Sequence, residues 1–231
     1  MSKLLIIIPC YNEELNVERV VEDIVCNYPQ YDYVVVNDGS KDKTSEICRD
    51  RGFNLLDLPV NLGLAGAFQT GMRYALEQGY EYAIQLDGDG QHDPRFISDM
   101  FDKMERNTDD IVIGSRFLTK KKKSSVRMLG NSLISGCIRL TSGRRITDPT
   151  SGMRMYSRRM IKKIAETINY SPEPDTVCYL IRCGARVSEV QVTMRERIAG
   201  ESYLNVSGSI KYMLTVCSSI LIIQWFRKKS L

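Results

Sequence analysis

One histidine, one tryptophan and no C-x-x-C pair set the first limits on this chain. Its cysteines, at 10, 26, 48, 137, 178, 183 and 217, are odd in number and scattered. That pattern argues against a disulfide framework or a cysteine zinc site, and a reducing cytosol is the simple expectation. A lone imidazole, His92, is a thin supply for histidine-based acid–base chemistry. No secretory leader is legible, because the apolar run Leu4–Ile8 is too short for one and leads directly into Pro9-Cys10-Tyr11-Asn12. Ile210–Phe226 is interrupted by Lys211, Ser218, Ser219 and Gln224, short of the roughly 20 apolar residues of a free membrane span.

What is present fits one α/β domain of 231 residues with a sizeable core. The net charge of +4 hides an asymmetry. Residues 1–115 carry 21 acids and 10 bases, residues 116–163 one acid and 14 bases, and residues 164–231 six acids and eight bases. The middle segment is therefore strongly cationic, and like charge gathered in one folded region needs an anion against it. Lys120–Lys123 taken alone reads equally as a solvated loop. Nucleic acid fits poorly, since only Phe117 and Tyr156 interleave as aromatics and no recognition motif occurs. Phosphate on a lipid or membrane surface fits better.

The chain organises around Tyr82–Pro94, YAIQLDGDGQHDP. An apolar run, Tyr82–Leu86, predicts a buried strand that ends at Asp87-Gly88-Asp89-Gly90, with Pro94 opening a helix. Two carboxylates at a strand's C-terminal end face the ligand crevice of an open α/β sheet, and the glycines beside them leave room for a bulky anion. With Gln91 nearby, they offer the hard oxygen ligands that suit Mg²⁺ or Mn²⁺ shared with a diphosphate; a solvated Asp-Gly turn is the alternative. Upstream, Lys3–Ile8, Asp32–Val36 and Phe53–Leu58 predict further strands, alternating with helices over Val17–Val25, Lys43–Arg51 and from about Leu62 to Gln78. Asp42 or Ser40 is placed to cap the second helix. Gly63 and Gly66, at the third helix entrance, are candidates for close approach to a phosphate or sugar. A helix through Ile97–Met104 and a strand Asp110–Gly114, ended by Ser115-Arg116, complete a βαβαβαβαβ pattern, and so a doubly wound, mostly parallel, Rossmann-like sheet flanked by helices. Glu13, Asp38 and Asp87/Asp89 then share one sheet rim.

Together, Pro9-Cys10-Tyr11-Asn12-Glu13, Val36-Asn37-Asp38-Gly39-Ser40-Lys41-Asp42-Lys43-Thr44, Asn61-Leu62-Gly63, Asp87-Gly88-Asp89-Gly90-Gln91-His92 and Gly114-Ser115-Arg116 resemble family 2 glycosyltransferases of the GT-A fold. Asp148-Pro149-Thr150-Ser151-Gly152-Met153-Arg154 and Arg197-Ile198-Ala199-Gly200-Glu201-Ser202 are similar to boxes of the polyprenyl-phosphate sugar synthase branch, typified by dolichyl-phosphate mannosyltransferase. The resemblance covers about residues 3–204 and implies a catalytic domain over 1–204 with residues 205–231 appended. It implies donor contacts from Pro9, Tyr11, Glu13, Asp38, Gly66 and Asp87, and a metal held by Asp87, Asp89 and Gln91. Asp89, Arg116 and Asp148 would be catalytic, with Asp148 orienting an arginine or the acceptor, and Arg127, Asn131, Arg154 and Arg197 would meet the acceptor phosphate. Asn131 stands where a small hydroxyl residue is frequent, and Tyr203 where a lysine is.

The activity implied is inverting, metal-dependent transfer of one sugar from a UDP- or GDP-linked donor to polyprenyl phosphate at the cytosolic membrane face, for cell-envelope glycan modification. A lipid monophosphate is largely dianionic at neutral pH, so no strong base is required. The alternative is transfer to a sugar hydroxyl, which needs a base, with Glu173 or Asp175 as candidates. Arg127–Thr141 reads as a helix for a membrane interface or for the core. The C-terminal segment reads as an amphipathic helix, with Trp225 at the interface and Arg227-Lys228-Lys229 on anionic lipid. It lies on the leaflet, docks on a small membrane-protein partner or a second copy, or packs on its own domain.

Overall fold

Apolar β-branched runs bounded by Asp/Gly/Asn turns form the centre of the computed structural model, which describes residues 3–119, 126–167, 171–195, 206–223 and 226. β1 (Leu4–Cys10), β2 (Asp32–Asn37), β3 (Leu55–Asp57), β4 (Tyr82–Gln85), β5 (Ile111–Ser115), β6 (Arg154–Ser157) and β7 (Val187–Gln191) make one sheet ordered β3-β2-β1-β4-β6-β5-β7. β1 pairs in parallel with β2 and β4, as does β2 with β3 and β5 with β7. β6 alone runs antiparallel, between β4 and β5. The expected parallel sheet is thus present with one reversed strand that the βαβ pattern did not foresee.

Leu4–Ile8 is almost wholly buried because helices cover both sheet faces. On one side, α1 (Val17–Asn27), α2 (Thr44–Asp50) and α4 (Ile97–Asn107) enclose Ile6, Ile8, Val21, Ile24, Ile84, Met100 and Val112. On the other, α3 (Gly63–Glu77), α5 (Val126–Ser142), α6 (Arg158–Glu166), α7 (Pro174–Arg182) and α8 (Val206–Ser218) enclose Leu5, Ile7, Phe68, Ile113, Ile138, Ile161 and Val216. Each such fully buried aliphatic side chain stabilises the fold by about 1.5–3 kcal/mol. The stripe Ala67, Gly71, Ala75 lets α3 lie close on β1: a Cβ on Gly71 would meet Ile7 Cγ2 at 2.4 Å.

Several boundaries differ from expectation for local reasons. Pro94 opens a 3₁₀ turn, Pro94–Phe96, before α4, and Asp93 caps that turn by accepting from the Arg95 amide. β3 is three residues long, not six, because the Phe53 amide donates back to Cys48 O near the end of α2. α8 passes into a π-helical turn, Ser219–Ile223, and packs against α5 and α7. Val216 and Ile220 are buried there, while Ile210, Leu214, Ile222 and Ile223 remain exposed. Among the described residues no helix is long and apolar enough to cross a membrane. Trp225 and Arg227-Lys228-Lys229 lie outside the described residues.

Candidate functional site

The C-terminal ends of β2, β1, β4 and β5 share one edge, and β6, being reversed, begins there. Loops that follow or precede these strands therefore meet at one rim. The first two are stitched together. Asn12 N donates to Ser40 Oγ, Glu13 N to Thr44 Oγ1 and Glu14 N to Asp42 Oδ2, while Lys41 N donates to Asn12 Oδ1 and Lys43 N to Glu14 Oε2. Asn12 itself sits at φ 56, a left-handed conformation asparagine tolerates. Most polar residues of the two motifs are thus spent on fixing loop geometry. Asp42, and not Ser40, serves the start of α2, accepting from Thr44 N at 3.0 Å.

That lattice presents Glu13 and Asp38. Glu13 Oε2 accepts from Asn16 Nδ2 at 2.8 Å, and Asp38, 3% exposed, accepts from Leu62 N at 2.7 Å, tying it to the entrance of α3. Gly39 is required by two facts: its φ is +62, and a Cβ would meet the Val60 carbonyl carbon at 2.5 Å. Pro9 is the register partner of Val36, and Tyr11, half-buried, follows at the strand end. Gly66 lies in the first turn of α3, where a Cβ would strike Leu62 Cβ at 2.3 Å.

The Asp87–His92 loop joins from β4. A Cβ on Gly88 would come within 2.6 Å of Cys10 Sγ, 3.1 Å of Pro9 O and 3.5 Å of Glu13 Cγ, so this glycine lets the loops after β1 and β4 touch. Asp87 Oδ1 accepts from Gln85 Nε2 at 3.0 Å, and Asp89 Oδ1 from Gln91 N at 3.0 Å. His92 Nδ1 accepts the Asp87 amide at 2.9 Å while Nε2 lies 3.6 Å from Asp87 Oδ2. A ring whose Nδ1 accepts a backbone N–H is held as the Nε2-protonated neutral tautomer; His92 braces the loop. Burial, then the charges of Cys48, Glu13, Asp87 and Asp42, push the Cys10 thiol well up, so it packs as a thiol and not a nucleophile.

After β5 the rim is built around Asp148. Fully buried, its carboxylate receives Arg116 Nε at 2.6 Å, Arg116 Nη2 at 2.8 Å and the Arg116 amide at 3.0 Å. The turn that carries Asp148 hangs on Glu189 of β7, whose two carboxylate oxygens accept the amides of Thr147 (2.8 Å) and Asp148 (2.9 Å). Gln191, two residues on, donates to Arg116 O at 3.1 Å. Sequence reading missed Glu189, Gln191 and Gln85, because nothing local marks a strand residue that acts through a neighbour's backbone or carboxylate.

The remaining expected residues divide. Asn131, 2% exposed, bonds Thr147 O and accepts from Thr150 Oγ1, so both ends of its amide serve the Asp148 turn. Arg154, 1% exposed, turns inward and donates to Pro149 O and Ser151 O. The Arg127 side chain and all of Arg197 lie outside the described residues, as do Lys120–Lys123. Gln91 is half-buried beside Asp89. Among the described residues no group of three His, Cys, Asp or Glu could hold a metal. Asp87 and Asp89 nevertheless fit Mg²⁺ or Mn²⁺: hard oxygens on one Gly-flanked turn, two in number, are a donor set completed by a ligand's phosphates and by solvent.

Comparison with known proteins bears on this edge. The family model described as Glycosyl transferase family 2 matches residues 5–165. Undecaprenyl-phosphate mannosyltransferase of Micrococcus luteus is 31% identical over 223 residues, covering 90% of this chain and 89% of the relative. Polyprenol monophosphomannose synthase of Mycolicibacterium smegmatis is 29% identical over 228 residues, covering 93% and 86%. Glucosyl-3-phosphoglycerate synthase of Mycobacterium tuberculosis, in complex with Mn²⁺, UDP-glucose and phosphoglyceric acid, shares the fold with TM-score 0.70 at 15% identity, over 97% of this chain and 80% of that one. With the sheet, the Asp87/Asp89 turn and the family match in agreement, the chain belongs to glycosyl transferase family 2 and is a glycosyltransferase.

Proposed function

We propose that this protein transfers one sugar, with inversion, from a UDP- or GDP-linked donor to a polyprenyl phosphate at the cytoplasmic face of a membrane, using Mg²⁺ or Mn²⁺. The observation that carries the reading is one sheet edge that bears Glu13, Asp38, Asp87 and Asp89 after β1, β2 and β4 and the Arg116–Asp148 pair after β5. The names of the two sequence relatives support the lipid-phosphate acceptor.

Asp38 and the loop after β1 hold the nucleotide, and its diphosphate lies beside Asp87, Asp89 and Gln91; Gly88 sets that turn against the β1 loop and Gly90 against Arg19 of α1. Asp87, Asp89 and Gln91 would hold the metal, which would supply charge neutralisation for the departing diphosphate. Arg116, fixed in its rotamer by a bidentate bond, offers a guanidinium whose orientation needs no rearrangement as charge develops. Asp148 is committed to that bond and is a positioning group. An acceptor phosphate dianion attacks C1 from the side opposite the leaving diphosphate, which inverts the centre and leaves no proton to remove. Glu173 and Asp175, the base candidates of a hydroxyl-acceptor reaction, instead receive Tyr212 and Ser219 of the C-terminal helix.

α5 and the C-terminal segment carry an apolar and basic surface. Leu129, Leu133 and Leu140 of α5 and Ile210, Leu214, Ile222, Ile223 and Phe226 at the C-terminus are 43–86% exposed. Arg144 and Arg145 are exposed just past α5. Apolar side chains with arginines alongside are the make-up of a helix face on anionic lipid. The test is a radiolabelled nucleotide-sugar offered to polyprenyl phosphate and, in parallel, to soluble glycans. Label partitioning into the organic phase is expected; label only in the glycan fraction would reject the lipid acceptor.

A further inference from the structure

The loop that carries Asp87, Asp89 and Gln91 has little behind it on the side of α1. At Gly90 the two touch: a Cβ there would meet Arg19 Nη2 at 2.8 Å and Val20 Cγ2 at 3.2 Å. Alongside that contact lies a cleft of about 430 Å³, lined by Asp23 and Asn27 of α1, by Leu86, His92 and Pro94, and by Arg195. Side chains that border a cleft lack packing partners on that side, so polar bonds must hold the loop there. Arg195, in the chain that follows β7, supplies them. Its Nη1 donates to Asp23 Oδ2 at 2.6 Å and its Nη2 to Asp93 Oδ1 at 2.9 Å, so one guanidinium spans from α1 to the end of the loop. Its backbone amide donates to Gln91 O at 2.9 Å. The Gln91 amide in turn donates to Asp89 Oδ1 at 3.0 Å. Asp93 is 6% exposed and is itself fixed, accepting the Arg95 amide at 3.1 Å. From Asp23 to Asp89, every step is a hydrogen bond or the covalent frame of a single residue.

We propose that Arg195 is a positioning residue that clasps the Asp87–Gln91 loop to α1 and thereby fixes the Asp89 carboxylate for a divalent cation. In naming that cation the inference rests on the function proposed above. The guanidinium suits the task, since its planar fork of N–H groups reaches two carboxylates at once. The clasp also makes a prediction of sign. Arg195 is a cation set among acids beside the metal turn, so by charge alone its removal would tighten the binding of Mn²⁺. As a positioning group, its removal must weaken that binding. Removal of Asp23, an anion, weakens it on either account, which makes Arg195 the decisive residue.

The experiment compares Arg195→Met, Asp23→Ala and Arg159→Met in the full chain. Arg159 donates to Asp110 Oδ2 at 3.2 Å just before β5, at the sheet edge away from the rim, and its loss controls for a general fall in stability. Amide hydrogen exchange is read at Arg195 and Gln91, whose N–H groups make the two bonds that lead to Asp89. Arg195→Met is expected to raise exchange at both by about fivefold, the scale of one net hydrogen bond. Asp23→Ala should act in the same direction, and Arg159→Met should leave both amides as in the parent. The double variant of Arg195 and Asp23 should match Arg195→Met alone, because both changes open one clasp. Mn²⁺ binding with UDP or GDP present, followed by the paramagnetic resonance of the free ion, gives the second readout. Arg195→Met is expected to weaken it by about threefold. Tighter or unchanged Mn²⁺ binding in Arg195→Met, or an equal rise in exchange in Arg159→Met, would overturn the clasp. A parent protein that binds no Mn²⁺ with either nucleotide, while exchange follows the expected pattern, would remove the metal assignment and uphold the clasp as the support of the loop.

Discussion

Replacing Asp148 by Asn keeps the shape of the residue and removes its charge, which isolates what the Arg116 bond contributes. Three N–H groups of Arg116 converge on this carboxylate within 3.0 Å, and the acid is fully buried while the arginine side chain is 26% exposed. Breaking a buried ion pair by neutralising one partner costs about 3–5 kcal/mol, and partial exposure of the arginine places this case near the lower end. About 3 kcal/mol in a chain of this length corresponds to a fall in melting temperature of about 6–12 °C. Differential scanning calorimetry on the parent, Asp148→Asn, Arg116→Met and the double variant forms the assay, with turnover measured alongside. The double variant should be more stable than the sum of the single losses implies, since it leaves no orphaned charge, yet as inactive as Arg116→Met. Strict additivity of the stability changes, or full activity in Asp148→Asn, would refute the claim that this acid works by fixing Arg116.

Further outcomes follow from the same geometry. Glu189→Ala should loosen the 147–151 turn by removing two charge-assisted bonds, with a loss of about 3 kcal/mol read by urea denaturation and a matching fall in activity. Gly88→Ala should weaken nucleotide binding because its Cβ forces the β1 and β4 loops apart, and adding Cys10→Ala should recover part of the affinity by withdrawing Sγ; isothermal titration decides. Asp89→Ala, or chelation with EDTA, should abolish sugar transfer, and turnover that survives either would remove the metal assignment. Burial holds the Glu173 carboxyl above its ordinary value, so the folded state binds more protons than the unfolded one between the two values. That contribution is complete below the unfolded pKa and is lost as pH rises through the folded one. The stability of Glu173→Gln relative to the parent should therefore improve from about pH 4 to pH 7, measured as melting temperatures across that range.

The alternation of apolar runs and Asp/Gly turns made the first five strands and four helices readable, because a parallel sheet buried on both faces needs uninterrupted aliphatic strands such as Leu4–Ile8. The rim residues were readable for the same reason: a polar cluster ending such a run has nowhere to go but the crevice. β6 was not, since Arg154-Met155-Tyr156-Ser157 has an arginine and a tyrosine buried inside the sheet, and composition cannot tell a buried guanidinium that bonds loop carbonyls from a solvated one. Arg154 was accordingly expected at the acceptor phosphate and lies under the Asp148 turn. α7 and β7 escaped notice too. Glu173 and Glu189 look like surface acids until the elements that satisfy them, α8 and the 147–148 backbone, are brought alongside.

The reversed strand has a consequence for how such a chain diversifies. β5 and β6 are neighbours, so the excursion from 116 to 153 departs from and returns to adjacent points of the scaffold. Lengthening a loop between two fixed posts costs only logarithmically more, yet this excursion is anchored at two places besides its ends: Ile134 and Ile138 of α5 are buried in the core, and Gly152 lies where a Cβ would meet Asp87 Oδ2 at 3.0 Å. Another family member's excursion grafted between Ser115 and Arg154 should therefore be accepted only where it keeps those two anchors.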